Sequence, residues 1–487
     1  MNYAWSYVLN SGISLMEDEH GGLLISKNPL AVFRINHTAF QLLKYCESSL
    51  RLEDDSSLRF LESFREKGVL RRVYQTTASD KEYPFVTVVI PVRNRPQEIK
   101  SCLESVFACD YPPHRMEIIV VDDFSTDGET KEVIRQYPVT LIEMTHHVGQ
   151  SKCRNIGANL ALGDVLAFTD SDCVVKQNWL SVLIAPFANI DVGIVGGGVD
   201  SYECENVLDV YEQVRSPLHM GNSSAEIAPN SLVPYVPTCN ALVRKEAFLQ
   251  VNGFSEEMRF GEDVDLIWRV LQKGYKGWYL PEGKISHRHR NHWRSFLKRR
   301  AEYASSEATL ERKFSFNRKK MYLSHWNGIN MVIFLLFLIG MGVFKNSSLD
   351  IVMFLALVAL VSSFASELWV KKAKLQKIDV VVSHRYLIKA VGRSHLGFLG
   401  QFTGLFSRYY SIPVLIAALI IPSYVMVVLI AFLASAYFEF MVKRPKMNYF
   451  LFAIVYILEM LAYQCGVFYG CLREGIYTPL VHKIKII

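Results

Sequence analysis

Gly163-Asp164-Val165-Leu166-Ala167-Phe168-Thr169-Asp170-Ser171-Asp172-Cys173 is an apolar run that ends abruptly in two carboxylates one residue apart. In a buried strand the side chains alternate faces, so Asp170 and Asp172 point the same way just past the strand's carboxyl end. That edge is where open α/β sheets bind ligands. Two hard oxygen donors side by side can hold a divalent cation beside a nucleotide diphosphate. An Asp-Ser-Asp after a strand is also what an ordinary solvated turn looks like, so the reading depends on its neighbours.

Upstream, strand and helix alternate. Phe85 to Pro91 is a β-branched run suited to a strand buried on both faces. An amphipathic helix follows from Arg95-Pro96 to Phe107, then Glu117 to Asp123 as a second buried strand ending in acid. Val139 to Glu143 reads as a third strand, Gly149 to Leu162 as a helix and Val165 to Phe168 as the fourth strand. The repeat predicts an α/β domain with a Rossmann-like, mostly parallel sheet and helices on both faces. Its carboxyl edge would carry Arg93, Asp122, Asp123, Asp170 and Asp172. Downstream, Gly261-Glu262-Asp263-Val264-Asp265 places three carboxylates at the opening of a helix, where the macrodipole favours negative charge. Those acids suit a good helix start as well as a site. Gly196-Gly197-Gly198 lacks the G-x-G-x-x-G spacing of a dinucleotide fold and lies far from the first strand.

The 487 residues suggest about three domains. A net charge of +6 without a long basic block argues against nucleic acid as the main partner. Nine scattered cysteines without a C-x-x-C pair point to free thiols in a reducing compartment, and Met1 to Gly12 lacks the pattern of a signal peptide. Residues 1–75 read as a small winged-helix-like α+β domain suited to binding. A hairpin spans Ile13 to Ile25, a strand Ala31 to Ile35, and a helix is capped by Asn36 or Thr38. Residues 83–320 hold the sheet domain, and 321–487 a helical membrane region.

Ile329 to Phe344, Ile351 to Val370, Ile412 to Phe438 and Tyr449 to Cys471 are apolar runs near or above the length that crosses hydrocarbon. The segment between the second and third carries Lys371, Lys372, Lys374, Lys377, Arg385, Lys389, Arg393 and Arg408. By the positive-inside rule that segment faces the cytoplasm, which predicts a multi-pass protein of the cell membrane with its sheet domain on the cytoplasmic side. Lys443, Arg444 and Lys446 oppose a simple four-crossing path, and a re-entrant hairpin around Pro422 relieves the conflict.

From Tyr83 to Trp293 the chain resembles the inverting nucleotide-sugar glycosyltransferases of family 2, with their GT-A fold. The resemblance rests on Val89-Ile90-Pro91-Val92-Arg93-Asn94, Val120-Val121-Asp122-Asp123, Arg154-Asn155-Ile156-Gly157, Asp170-Ser171-Asp172 and Gly261-Glu262-Asp263. It implies a UDP-sugar donor held by Pro91, Arg93, Asp122, Asp123, Arg154, Asp170 and Asp172. Within that set Asp122 would read the uracil base and Asp170 the ribose. Asp172 would ligate the metal, Mg²⁺ or Mn²⁺, with Asp170 and His287 as further candidates, although a lone histidine is commonly an ordinary surface residue. Asp263 would be the general base, with Glu262 as the second choice. The N-terminal domain is similar to PqqD-like peptide-recognition domains. A fusion of the two with an apolar tail resembles the glycosyltransferases of the mycofactocin system, which implies transfer of a hexose, β-linked glucose, to a peptide-derived redox cofactor or its precursor at the lipid bilayer.

Three other readings share parts of this pattern. A processive polysaccharide synthase would carry Q-x-x-R-W on a helix at the membrane, and His292 to Arg300 has no such motif. A lipid-linked-sugar transferase would use the apolar tail to meet a polyprenyl acceptor. A non-catalytic membrane-anchored scaffold would have no use for a carboxylate base beside a metal.

Overall fold

The computed structural model describes residues 4–10, 12–19, 21–27, 30–46, 55–75, 83–202, 206–229, 231–288, 292–314, 320–343, 347–377 and 382–486. The expected linker from Thr76 to Glu82 lies outside them. The chain forms two compact units: Met1–Ser6, Arg72–Asn317 and Pro445–Met447 make one, and Tyr7–Arg71, Arg318–Arg444 and Asn448–Ile487 the other.

The chain opens with β1 (Ala4–Leu9), β2 (Ile13–Asp18), β3 (Gly21–Lys27), β4 (Leu30–Ile35), α1 (His37–Tyr45), α2 (Asp55–Glu66) and β5 (Leu70–Gln75). β2, β3 and β4 form an antiparallel sheet, and β1 pairs with β5. The hairpin register Asp18↔Gly21 leaves two residues for the turn. The Asn36 side chain, rather than that of Thr38, caps α1 by accepting from the Ala39 amide at 2.8 Å.

The sheet domain runs β6 (Val86–Val92), α3 (Pro96–Phe107), β7 (Met116–Asp122), α4 (Glu129–Ile134), β8 (Thr140–Glu143), α5 (Gln150–Leu160), β9 (Val165–Phe168), β10 (Cys173–Val175) and α6 (Trp179–Leu183). It continues through β11 (Val192–Ser201), α7 (Val207–Arg215), β12 (Ala225–Glu226), β13 (Ala241–Arg244), α8 (Lys245–Gln250), α9 (Glu262–Gln272), β14 (Lys276–His287) and α10 (Trp293–Lys313). Strand order is β10-β14-β11-β13-β9-β6-β7-β8, with β12 on β14. The first half is parallel, as the alternating pattern predicts, because each strand returns through a helix. β13 then inserts antiparallel between β9 and β11, so the sheet is mixed. Apolar side chains fill both faces: Ile90, Val120 and Ala167 on one, Val89, Val121 and Phe168 on the other. This double burial explains why β6 reads as continuous rather than alternating hydrophobicity.

The glycine run belongs to β11 and has a packing role. A Cβ on Gly197 would fall on the Gly283 carbonyl oxygen and the Asn240 side chain, and one on Gly196 would fall on Val236. Asn240 is wholly buried; its amide donates to the Gly198 and Gly283 carbonyls at 2.8 and 2.9 Å and its oxygen accepts from Trp179 Nε1 at 2.7 Å. Glycine lets this asparagine tie β11 to β14. Gly197→Ala is expected to cost about 1–3 kcal/mol by overpacking, read in a urea denaturation curve. An unchanged midpoint would remove the packing account.

The second unit continues with β15 (Lys320–Leu323), α11 (His325–Val343), α12 (Ser347–Gln376), α13 (His384–Tyr409), α14 (Ser411–Ala417), α15 (Tyr424–Lys443), α16 (Tyr449–Glu474) and β16 (Lys483–Ile486), with β15 and β16 parallel. Among the described residues three helices are long and apolar enough to cross a membrane: Met353–Gln376, Tyr424–Lys443 and Tyr449–Glu474. The run expected to continue from Ile412 to Phe438 is broken between Ala417 and Tyr424, where Pro422 cannot donate a helical hydrogen bond. Its polar groups find partners: Gln464 Oε1 accepts from Ser411 Oγ at 2.9 Å and from the Ile412 amide at 2.7 Å. Glu367, fully buried, meets Lys371 Nζ and His395 Nε2 at 2.7 Å each.

Candidate active site

The candidate site begins where β6 loses a neighbour. β6 pairs with β9 only as far as Val89↔Phe168, but with β7 to Val92↔Asp122. Pro91, which has no N–H, sits in that unpaired stretch, where a proline costs the sheet nothing. The loops after β6 and β7 are tied together. The Asn94 amide donates to Ser125 Oγ at 2.9 Å and the Thr126 amide to Asn94 Oδ1 at 2.8 Å, with Asn94 and Phe124 both at positive φ. Asp122 is wholly buried; one oxygen accepts from the Ser125 amide at 3.0 Å, and the other has no hydrogen-bond partner. Asp123 accepts from the Val148 and Gly149 amides at 2.7 and 3.0 Å and meets His147 Nδ1 at 2.7 Å, which fixes the turn into α5. Arg93 is exposed.

Beyond β9, Asp170 and Asp172 have different partners. Arg154, 2% exposed, donates from Nη2 to Asp170 Oδ1 at 2.6 Å and from Nη1 to Glu262 Oε1 at 3.3 Å. One guanidinium thus joins the acid after β9 to the acid opening α9. Burial alone would lower its pKa, but the Asp170 and Glu262 carboxylates outweigh burial and raise it, so it stays charged. Gln150 Nε2 also donates to Glu262 Oε1, at 2.6 Å. Asn155 and Gly157 of the Arg154-Asn155-Ile156-Gly157 stretch have structural roles. Asn155 exchanges hydrogen bonds with the Phe254 backbone at 2.8 and 2.9 Å, and a Cβ on Gly157 would press on Val89.

Asp172 is ion-paired with Arg95 and lies 3.6 Å from His287 Nε2. Burial would raise its pKa, but His287 and Arg95 hold it down at about 2. Strand register places the histidine: β10 pairs with β14 so that Cys173 faces His287. Among the described residues Asp172, Cys173 and His287 bring ligand atoms within 4.8 Å of one another. Burial raises the Cys173 thiol well above its ordinary pKa, which leaves Asp172 and His287 as the ready donors. A carboxylate oxygen with an imidazole can hold a divalent cation and leaves positions for a diphosphate. Asp170 stands outside this group, engaged by Arg154.

The three acids of α9 also separate. Gly261 adopts φ +76° at the helix start, and its Cα faces Ser306 Oγ, which a Cβ would approach to 3.0 Å. Glu262 turns to Arg154. Asp265, fully buried, serves the fold: it meets Arg269 Nη2 at 2.7 Å, Lys313 Nζ at 3.0 Å and Ser255 Oγ at 2.6 Å. Asp263 is half-buried, and its Oδ1 accepts from the Val264 amide at 2.8 Å. Burial, then the adjacent Glu262 carboxylate, push it up to about 7. A carboxylate with that affinity can accept a proton at neutral pH. Arg95 and Gln150 were not legible as site residues: Arg95 merely precedes the helix-opening Pro96, and Gln150 is one polar residue in a helix's first turn.

Residues 87–251 match the family model described as Glycosyl transferase family 2. The pre-mycofactocin glycosyltransferase of Mycobacterium tuberculosis is 27% identical over 476 residues, which cover 96% of this chain and 95% of that protein. Glycosyltransferase AglE of Haloferax volcanii is 33% identical over 198 residues, 39% of this chain and 63% of its own. Among solved structures, a mannosyltransferase from Pyrobaculum calidifontis in complex with GDP-Man and Mn²⁺ aligns over 70% of this chain and 94% of its own, at 18% identity and a TM-score of 0.41. A family model that falls on these strands and acids, together with a relative alike from end to end, makes residues 87–251 a family 2 glycosyltransferase domain and this protein a glycosyltransferase.

Proposed function

We propose that this enzyme is a membrane-bound inverting transferase that moves a hexose, β-linked glucose, from a UDP-sugar to a peptide-derived acceptor, the mycofactocin redox cofactor or its precursor. The end-to-end similarity to a pre-mycofactocin glycosyltransferase supports the acceptor class. The observation that carries the chemistry is the Asp170–Arg154–Glu262 bridge, because it holds a donor-side acid and the Glu262-Asp263 pair on one sheet edge. Asp122, with its unused buried oxygen, takes the base of the nucleotide. Asp170 holds the ribose. Asp172 and His287 would hold Mn²⁺ or Mg²⁺, which when bound neutralises the charge of the leaving diphosphate. Asp263 takes the acceptor hydroxyl's proton, and attack from the face opposite the diphosphate inverts the anomeric centre. Residues 1–75 bind the peptide, and the apolar helices of 321–487 hold the sheet domain at the cytoplasmic face of the cell membrane.

Incubation with UDP-glucose, Mn²⁺ and a peptide-derived acceptor, followed by mass spectrometry, tests this. One or more hexose increments are expected; their absence with every UDP-sugar tried would overturn the reading. Chelation with EDTA is expected to abolish turnover, and excess Mn²⁺ to restore it. His287→Ala is expected to raise the Mn²⁺ concentration for half-maximal rate by about 10–100-fold, the usual range for a weakened metal shell. An unchanged Mn²⁺ dependence would remove His287 from the site.

A further inference from the structure

The membrane-side unit carries a surface that the transfer reaction does not use. Between Lys371 and Phe438 the sequence has eight Lys or Arg residues and one acid, Asp379. Glu367, just before this segment, is turned inward and already engaged by Lys371 and His395. Lys372, Lys374 and Lys377 at the end of α12, and Arg385, Lys389 and Arg393 on α13, are exposed, and none has a carboxylate partner among the described residues.

Their placement is ordered. Arg385, Lys389 and Arg393 recur every four residues and so form one stripe on α13. Ile388, Leu396 and Leu399 share that face and are 50%, 54% and 43% exposed. Leu387 and Ala390, on the other side of the helix, are buried with Leu375 against Ile25 of β3 and Val32 of β4. Trp369, 73% exposed, ends the apolar part of α12 where the lysines begin, the position of an aromatic residue at a membrane–water boundary. Cations interleaved with exposed aliphatic residues, beside a helix able to cross the bilayer, match a surface of anionic headgroups over acyl chains.

We propose that the exposed basic face of α13, with the lysines ending α12, binds the anionic phospholipid headgroups of the membrane leaflet, and that α13 thereby seats the β2–β4 sheet at that surface. The proposal rests on the membrane reading above and adds the leaflet's charge as its ligand.

The test uses the full chain in nanodiscs of phosphatidylcholine alone and of phosphatidylcholine with phosphatidylglycerol. The readout is the rate at which a membrane-impermeant amine reagent modifies Lys372, Lys374, Lys377 and Lys389, measured by mass spectrometry. Phosphatidylglycerol is expected to slow modification by about fivefold or more, in line with the attraction of basic side chains to an anionic leaflet, and high salt to erase the difference. In an Arg385→Gln/Arg393→Gln variant the protection of the remaining lysines should fall. Equal rates in both discs, with the chain in both, overturn the headgroup site alone. Recovery of the chain in the detergent-free soluble fraction overturns the membrane reading with it.

Discussion

Asp263→Asn is expected to lower kcat by about 10²–10⁴-fold, the usual worth of a positioned general base, with little change in the donor's KM. The parent's kcat/KM should rise with pH through about 7 and then level, because burial and Glu262 push Asp263 up to about 7 and only the ionised carboxylate can take a proton. The same shift gives a stability signature. The folded pKa lies above the ordinary 3.8, so between those values the native state holds a proton that the unfolded chain has released. Stability from this group is therefore complete below pH 4 and is lost as pH rises through 7. The asparagine variant never ionises, so its Tm should exceed the parent's at pH 8 and match it at pH 4. A variant with parental kcat would move the base elsewhere, to Glu262 first. A loss of kcat with no pH-dependent difference in Tm would leave the base in place and refute the account of its environment.

What was legible in advance follows from which interactions are local. β6, β7 and β9 could be read because a strand buried on both faces is apolar at nearly every position, and the acids at their ends stood out against that background. The register that brings His287 to Asp172 was not legible, since it depends on β10 pairing with a strand more than a hundred residues later. β13 runs opposite to its neighbours for the same reason, and short strands of four residues carry no mark of direction. The separation of Asp265 from Asp263 could have been read: Asp265 and Arg269 are four apart on one helix, the spacing of an ion pair. The packing role of the glycine run in β11 was not legible, because its partner, the Asn240 side chain, is distant in sequence.

The second large effect is expected at Arg154. Replacing it by Met removes the cation shared by Asp170 and Glu262, and should destabilise the protein by about 3–5 kcal/mol, the cost of leaving buried charge uncompensated. The loss should shrink at low pH, where the stranded acids protonate. Arg154→Lys should also fail, because one ammonium cannot make the two-armed contact of a planar guanidinium. Adding Glu262→Gln to Arg154→Met removes one stranded charge while keeping a group that Gln150 can meet, so part of the stability should return. Turnover should not return, because Asp170 would still lack the donor that fixes it at 2.6 Å. A guanidinium that merely filled space would behave differently: Met has similar bulk, so both stability and kcat would survive, and the bridge would then have no part in holding the two acids at one edge of the sheet.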